Sequence, residues 1–131
     1  MKVKSAYTRL LVANLEASFL FYRDVMEFQV TVEDLETGYA EFEVGNMKLG
    51  LFRRQEMAQI IGNTDKPESA ECQDNVVLIF TVPDLEETYH ELRHKSVNFT
   101  TTPTTNPSYG IKTAYFRDPD GTLIGLFQLL D

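Results

Sequence analysis

His90 and His94 stand four residues apart, with Glu91 between them. On a helix that spacing brings both imidazoles to one face, a geometry that can hold zinc. The same segment places Leu85, Tyr89 and Leu92 on the stripe that should face a core. The two histidines are therefore expected outward, on a solvated face without an evident third ligand. Asp118 and Asp120 resemble an acid pair, but Pro119 and Gly121 make this stretch a tight turn, where aspartates bond their own backbone. Glu33, Asp34 and Glu36 surround another turn and are read as its solvating charges. The single cysteine, Cys72, excludes an intramolecular disulfide framework. It lies in the polar run 68–74, with no partner that would make it a nucleophile. No catalytic residue is assigned from these patterns.

The elements that must position any site are written nearly twice. Val12-Ala13-Asn14-Leu15-Glu16 returns as Val82-Pro83-Asp84-Leu85-Glu86, an offset of 70 residues. At that offset Leu10 meets Phe80, Ser18 meets Thr88 and Phe19 meets Tyr89; with one inserted residue Phe28 meets Phe99. Each copy opens on an apolar strand, read over 3–13 and 76–82. A helix follows, capped by Asn14 or Asp84. Leu15, Phe19, Tyr22 and Met26 lie at helical spacing in the first copy. Strands are predicted over 28–33, 39–44 and 47–53, with a two-residue hairpin at Gly45-Asn46. A short helix over 55–61 stops at Gly62-Asn63. The second copy has strands at 97–102, 111–117 and 122–130, and a loop from Pro103 to Gly110. The expected fold class is α+β: two tandem βαβββ modules forming a curved, incompletely closed mixed sheet around a cavity, with helices outside. Residues 1–131 are read as one domain, with module one about 1–54, a linker about 55–75 and module two about 76–131.

Composition narrows the partners. Of 131 residues, 20 are acidic and 12 basic, a net charge of −8. No basic field exists to displace phosphate counterions, so neither nucleic acid nor an anionic membrane is expected as a partner. No segment approaches the ~20 apolar residues of a membrane span, and the N-terminus lacks a signal-like apolar run. A cytoplasmic location is expected.

Two stretches resemble the vicinal oxygen chelate superfamily of glyoxalases, bleomycin-resistance proteins and extradiol dioxygenases. They are Asn14-Leu15-Glu16-Ala17-Ser18-Phe19-Leu20-Phe21-Tyr22-Arg23-Asp24-Val25-Met26-Glu27-Phe28 and Tyr115-Phe116-Arg117-Asp118-Pro119-Asp120-Gly121. The resemblance implies a divalent metal held by His, Glu or Gln, one from each of four cavity strands. Carried onto this chain, those positions are Tyr7, Gly50, Val77 and Gly125. Valine and glycine side chains cannot ligate, and a lone tyrosine makes a poor site. Neighbours one residue away supply no carboxylate or imidazole. No metal and no other cofactor is expected, and metal-dependent glyoxalase, dioxygenase or thiol-transferase activity is not. The metal-free bleomycin-resistance type becomes the nearest functional likeness.

Strand alternation extends these four positions into a lining. Tyr7 implies Arg9, Gly50 implies Phe52, Val77 implies Ile79, and Gly125 implies Phe127. Thr113 and Tyr115 join from the seventh strand, and Glu41 from the third. The ligand-binding set is thus Tyr7, Arg9, Glu41, Gly50, Phe52, Val77, Ile79, Thr113, Tyr115, Gly125 and Phe127. Aromatic and aliphatic walls with few polar groups suit a small molecule. The two glycines are expected to enlarge the floor. The expected function is sequestering or carrying a partly apolar or aromatic ligand in a groove between modules, in a homodimer. One alternative is a metal-free enzyme using Arg9, Tyr7 or Tyr115. Another is a structural or regulatory protein whose cavity has closed, with Arg9 paired to Glu41 or Glu43.

Overall fold

Asn14 leaves the first strand in an extended conformation, and its side-chain oxygen accepts the Ala17 N–H at 3.0 Å. Asp84 does the same for the Glu87 N–H at 3.1 Å. Each cap satisfies one orphan donor of a helix start and stabilises it by about 1 kcal/mol. These two starts organise a computed structural model that describes every residue except 68–72 and 75. Cys72 therefore lies outside the described residues. The chain divides into two compact units, Met1–Glu71 and Cys72–Asp131, and each has its own sheet and core.

The first unit runs β1 (Thr8–Val12), α1 (Leu15–Leu20), β2 (Gln29–Asp34), β3 (Tyr39–Val44), β4 (Met47–Arg53) and α2 (Arg54–Ile61). Its sheet order is β1-β4-β3-β2, with β1 and β4 parallel and the other pairs antiparallel. The second unit repeats the plan with β5 (Val77–Thr81), α3 (Leu85–His94), β6 (Phe99–Asn106), β7 (Ile111–Arg117) and β8 (Leu123–Leu129), in the order β5-β8-β7-β6. The predicted βαβββ repeat is thus present as two mixed four-stranded sheets, neither closed into a barrel.

Alternation sorts each sheet into a helix face and an opposite face. In the first unit Phe42 lies opposite Leu49 and Ala40 opposite Leu51. These four, with Val12, Leu15, Phe19 and Tyr22, are buried to within 1%. Phe42 is the hub, with ring centroids 5.6 Å from Phe19, 6.0 Å from Tyr22 and 6.5 Å from Phe28. In the second unit Leu85, Tyr89 and Leu92 of α3 close over Ala114, Phe116, Ile124 and Leu126. There Phe99 bridges Tyr89 at 4.6 Å and Phe116 at 5.0 Å. The repeated phenylalanines therefore serve equivalent cores.

Three elements differ from the sequence expectation. β1 is shorter than 3–13: it spans Thr8–Val12, and Val3 and Tyr7 before it are exposed. After Leu20 the helix widens into a π turn, Phe21–Val25, closed by the Met26 N–H on the Phe21 carbonyl at 3.0 Å. The extra residue keeps Tyr22 fully buried, 5.9 Å from Phe28. β6 continues through Pro103 to Asn106, where a loop was expected. It is an edge strand whose register shifts between Thr101 and Thr104, and an edge with a bulge is where a sheet tolerates proline. Helix α2 ends as expected, with Gly62 in the left-handed region at φ 75°. Among the described residues no helix is long and apolar enough to cross a membrane.

Candidate functional site

The face of the first sheet turned away from α1 carries the polar chemistry. Its centre is Gly50, flanked in register by Arg9 on β1 and Glu41 on β3. Tyr39 lies opposite Phe52, one step along. The Arg9 guanidinium carbon sits 5.0 Å from the ring centroid of Tyr39, 5.0 Å from that of Phe52 and 5.7 Å from that of Tyr7. Arg9 Nη2 also donates to the Tyr7 hydroxyl at 3.1 Å. Three aromatic rings thus orient one exposed cation. Cation–π attraction of this kind contributes about 0.5–1 kcal/mol per ring at an exposed site. Arg9 is not clamped in an ion pair with Glu41 or Glu43, the pairing expected for a closed cavity.

Glu41 is held from two other directions. The Tyr39 hydroxyl donates to Oε1 at 2.8 Å, and the Thr31 hydroxyl to Oε2 at 3.1 Å. Tyr39's hydroxyl, first among the causes, holds this carboxyl below its ordinary range, with Thr31, Lys48 and Arg9 adding to it. Burial pushes the Tyr39 phenol up, and the neighbouring carboxylate pushes it further. At neutral pH the pair is therefore a phenol donating to a carboxylate. A carboxylate stabilised in this way is a weak general base.

The second sheet offers a different surface. Ile79, Gly125 and Tyr115 form the row equivalent to Arg9, Gly50 and Glu41. Thr113 and Thr81 flank Phe127, and Val77 lies beside Leu123. The Tyr115 and Phe127 rings meet edge to face at 6.1 Å. Ile79 is 48% exposed and Val77 38%. The lining set thus gathers as two groups: Arg9, Glu41, Gly50 and Phe52 on the first sheet with Tyr7 just before β1, and Val77, Ile79, Thr113, Tyr115, Gly125 and Phe127 on the second sheet.

The expectation that the glycines enlarge the floor is corrected. A methyl group on Gly50 would lie 3.2 Å from the Tyr39 hydroxyl, and one on Gly125 only 2.9 Å from Tyr115 Cε1. Each glycine makes room for a tyrosine of its own sheet. Tyr39, which the sequence reading put on the same face as Glu41, was left out of the binding set, and Thr31 was missed altogether. The alternation of Tyr39 with Glu41 was a signal for the first. Thr31 was hidden by a register shift between Val30 and Val32, which breaks the period-two rule.

The other chemistry-bearing residues belong to α3 and to the turn before β8. His90 and His94 are exposed on α3. Asp118 Oδ1 accepts from the N–H groups of Asp120 at 2.9 Å and Thr122 at 2.8 Å, which is turn chemistry. The four family metal positions present a phenol, an isopropyl group and two glycines, a donor set that does not fit a divalent metal. Among the described residues no group of three or more His, Cys, Asp or Glu side chains converges to hold one.

The Tyr39–Glu41 pair makes a pH prediction. A carboxyl whose folded pKa is depressed contributes stability present above its unfolded pKa and lost as pH falls through the folded one. Tyr39→Phe is expected to move Glu41 up toward its ordinary 4.5. Stability should then depend less on pH below about 4.5. Carboxyl-carbon NMR titration of Glu41 checks this, and an unmoved titration in the variant would refute Tyr39 as the main cause.

Residues 4–126 match the model of the Glyoxalase/Bleomycin resistance protein/Dioxygenase superfamily. The uncharacterized protein YraH of Bacillus subtilis (strain 168) is 34% identical over 128 residues, which is 98% of this chain and 100% of YraH. A glyoxalase/bleomycin resistance protein/dioxygenase from Nocardioides is similar in structure, with a TM-score of 0.74 at 23% identity over 100% of this chain and 87% of that one. Lactoylglutathione lyase from Agrobacterium tumefaciens gives 0.70 at 20% identity, over 98% and 96% of the two chains. At such identities the structural likeness is one of fold.

Proposed function

Because the chain belongs to the glyoxalase/bleomycin resistance protein/dioxygenase superfamily, we propose that it is a metal-independent small-molecule binding protein of the cytoplasm. It sequesters or carries a partly apolar or aromatic ligand that has an anionic end. The observation that carries this reading is Arg9, a cation oriented by Tyr7, Tyr39 and Phe52 on an exposed sheet face. The guanidinium receives the anionic group, because its planar fork matches a carboxylate. The rings beside it receive the planar or apolar body.

Thermal melts test the reading. Aromatic carboxylates should raise the melting temperature, since a ligand that binds only the native state stabilises it. Nickel, zinc or manganese should leave it nearly unchanged. One tightly held metal per chain, lost in Tyr7→Phe, would overturn the metal-free reading. Weak zinc binding lost in His90→Ala would not, because those histidines are exposed on α3 and Tyr7 is not near them in sequence.

We further propose a homodimer. β5 is an edge strand with Val77 and Ile79 exposed on it, and a stable twofold interface would cover roughly 1,200 Å² or more in total. Light scattering at micromolar concentration should give twice the chain mass. A clean monomer would refute the dimer.

A further inference from the structure

Helix α3 turns two imidazoles to solvent at its C-terminal end. Leu85, Tyr89 and Leu92 bury one stripe of the helix, and His90 and His94 lie exposed outside it. Residues four apart on one helix hold their Cβ atoms about 5–6 Å apart, close enough for both rings to reach one ion at about 2.0–2.1 Å. Together with Arg93 the two histidines line a surface hollow of about 310 Å³, which has room for an ion and several waters at roughly 30 Å³ each. The His90 ring meets Tyr89 edge to face at 5.4 Å, and the Arg93 guanidinium lies over the same tyrosine at 5.5 Å. His94 is the last residue of α3, where the orphan carbonyls of a helix end favour positive charge. Exposed Glu87 and Glu91 each precede one histidine by three residues, and their charge offsets that of Arg93.

We propose that His90 and His94 form a surface chelate for a late first-row divalent metal ion, copper before nickel and zinc, with water in the remaining positions. Imidazole suits these metals, and copper heads their order of affinity for a nitrogen site. Both ligands belong to α3, so the proposal does not rest on the Arg9 face. It also moves a melt little: the unfolded chain keeps both imidazoles and binds metal too, which cancels most of the stabilisation.

Calorimetric titration of Cys72→Ser protein, which lacks the competing thiol, with copper, nickel, zinc and manganese salts tests the chelate. One histidine-dependent copper ion should bind per chain, with nickel and zinc weaker and manganese weakest. His90→Gln and His94→Gln should each weaken copper and nickel about tenfold or more, because either loss removes the chelate. The double variant should be little worse than either single one, and circular dichroism should remain native in all three, since both side chains are exposed. Tyr7→Phe should bind copper as the parent does. Copper affinity that survives both substitutions would overturn the proposal by placing the ion elsewhere, such as the N-terminal amine. So would a loss in only one of the two variants, which marks a single imidazole, or manganese binding as tightly as copper.

Discussion

Phe42→Ala should destabilise the protein by about 3–5 kcal/mol, the range for truncating a large buried aromatic. Phe42 is completely buried and its ring faces those of Phe19, Tyr22 and Phe28. Its neighbours are held on α1, the π turn and the residue before β2, so they cannot collapse into the vacated space without moving backbone. The measurement is urea unfolding followed by far-ultraviolet circular dichroism, with the midpoint shifting and the slope retained. Phe52 on the same sheet makes the control. It is only half-buried on the face turned from the core, so Phe52→Ala should cost much less stability and show its effect in binding. A loss below about 1 kcal/mol in Phe42→Ala would contradict the assignment of Phe42 as the hub.

Arg9→Ala should weaken an aromatic carboxylate by about 10–100-fold, which corresponds to about 1.4–2.8 kcal/mol. That is the range for a hydrogen bond to a charged group. Arg9→Lys should recover little of the loss. An ammonium is a compact, strongly hydrated charge, whereas stacking among Tyr7, Tyr39 and Phe52 requires the flat guanidinium. Calorimetric titration with one aromatic carboxylate against the three proteins reads the effect. Melting temperature without ligand should fall by a few degrees in both variants, because the ring contacts of the guanidinium are lost, although Arg9 is exposed and its removal opens no cavity. If Arg9→Ala binds as tightly as the wild type, the anion sits elsewhere and the proposed function loses its carrying observation.

Much of the architecture was legible before any coordinates. The 70-residue repeat, the Asn14 and Asp84 caps, the Gly45-Asn46 turn and the β3 alternation are local signals. Each became the predicted feature because short-range hydrogen bonding and period-two burial decide it. The same alternation puts Arg9, Glu41, Gly50 and Phe52 on one face of their sheet. Ile79, Tyr115, Gly125 and Phe127 followed in the same way on the other sheet.

Where alternation failed, a residue had been inserted. The π turn at Phe21–Val25 and the shifts beside Thr31 and Pro103 change the count by one, and no periodicity reports that in advance. What a glycine leaves room for is also a tertiary fact. From sequence, Gly50 and Gly125 were gaps. In the fold, Tyr39 and Tyr115 swing over them, because a ring reaches a cross-strand or diagonal neighbour that sequence distance does not reveal. The same holds for Arg9. Its charge and its strand face belong to the sequence, but only the fold gathers three rings from separate segments around the guanidinium and gives each Glu41 carboxylate oxygen a hydroxyl donor.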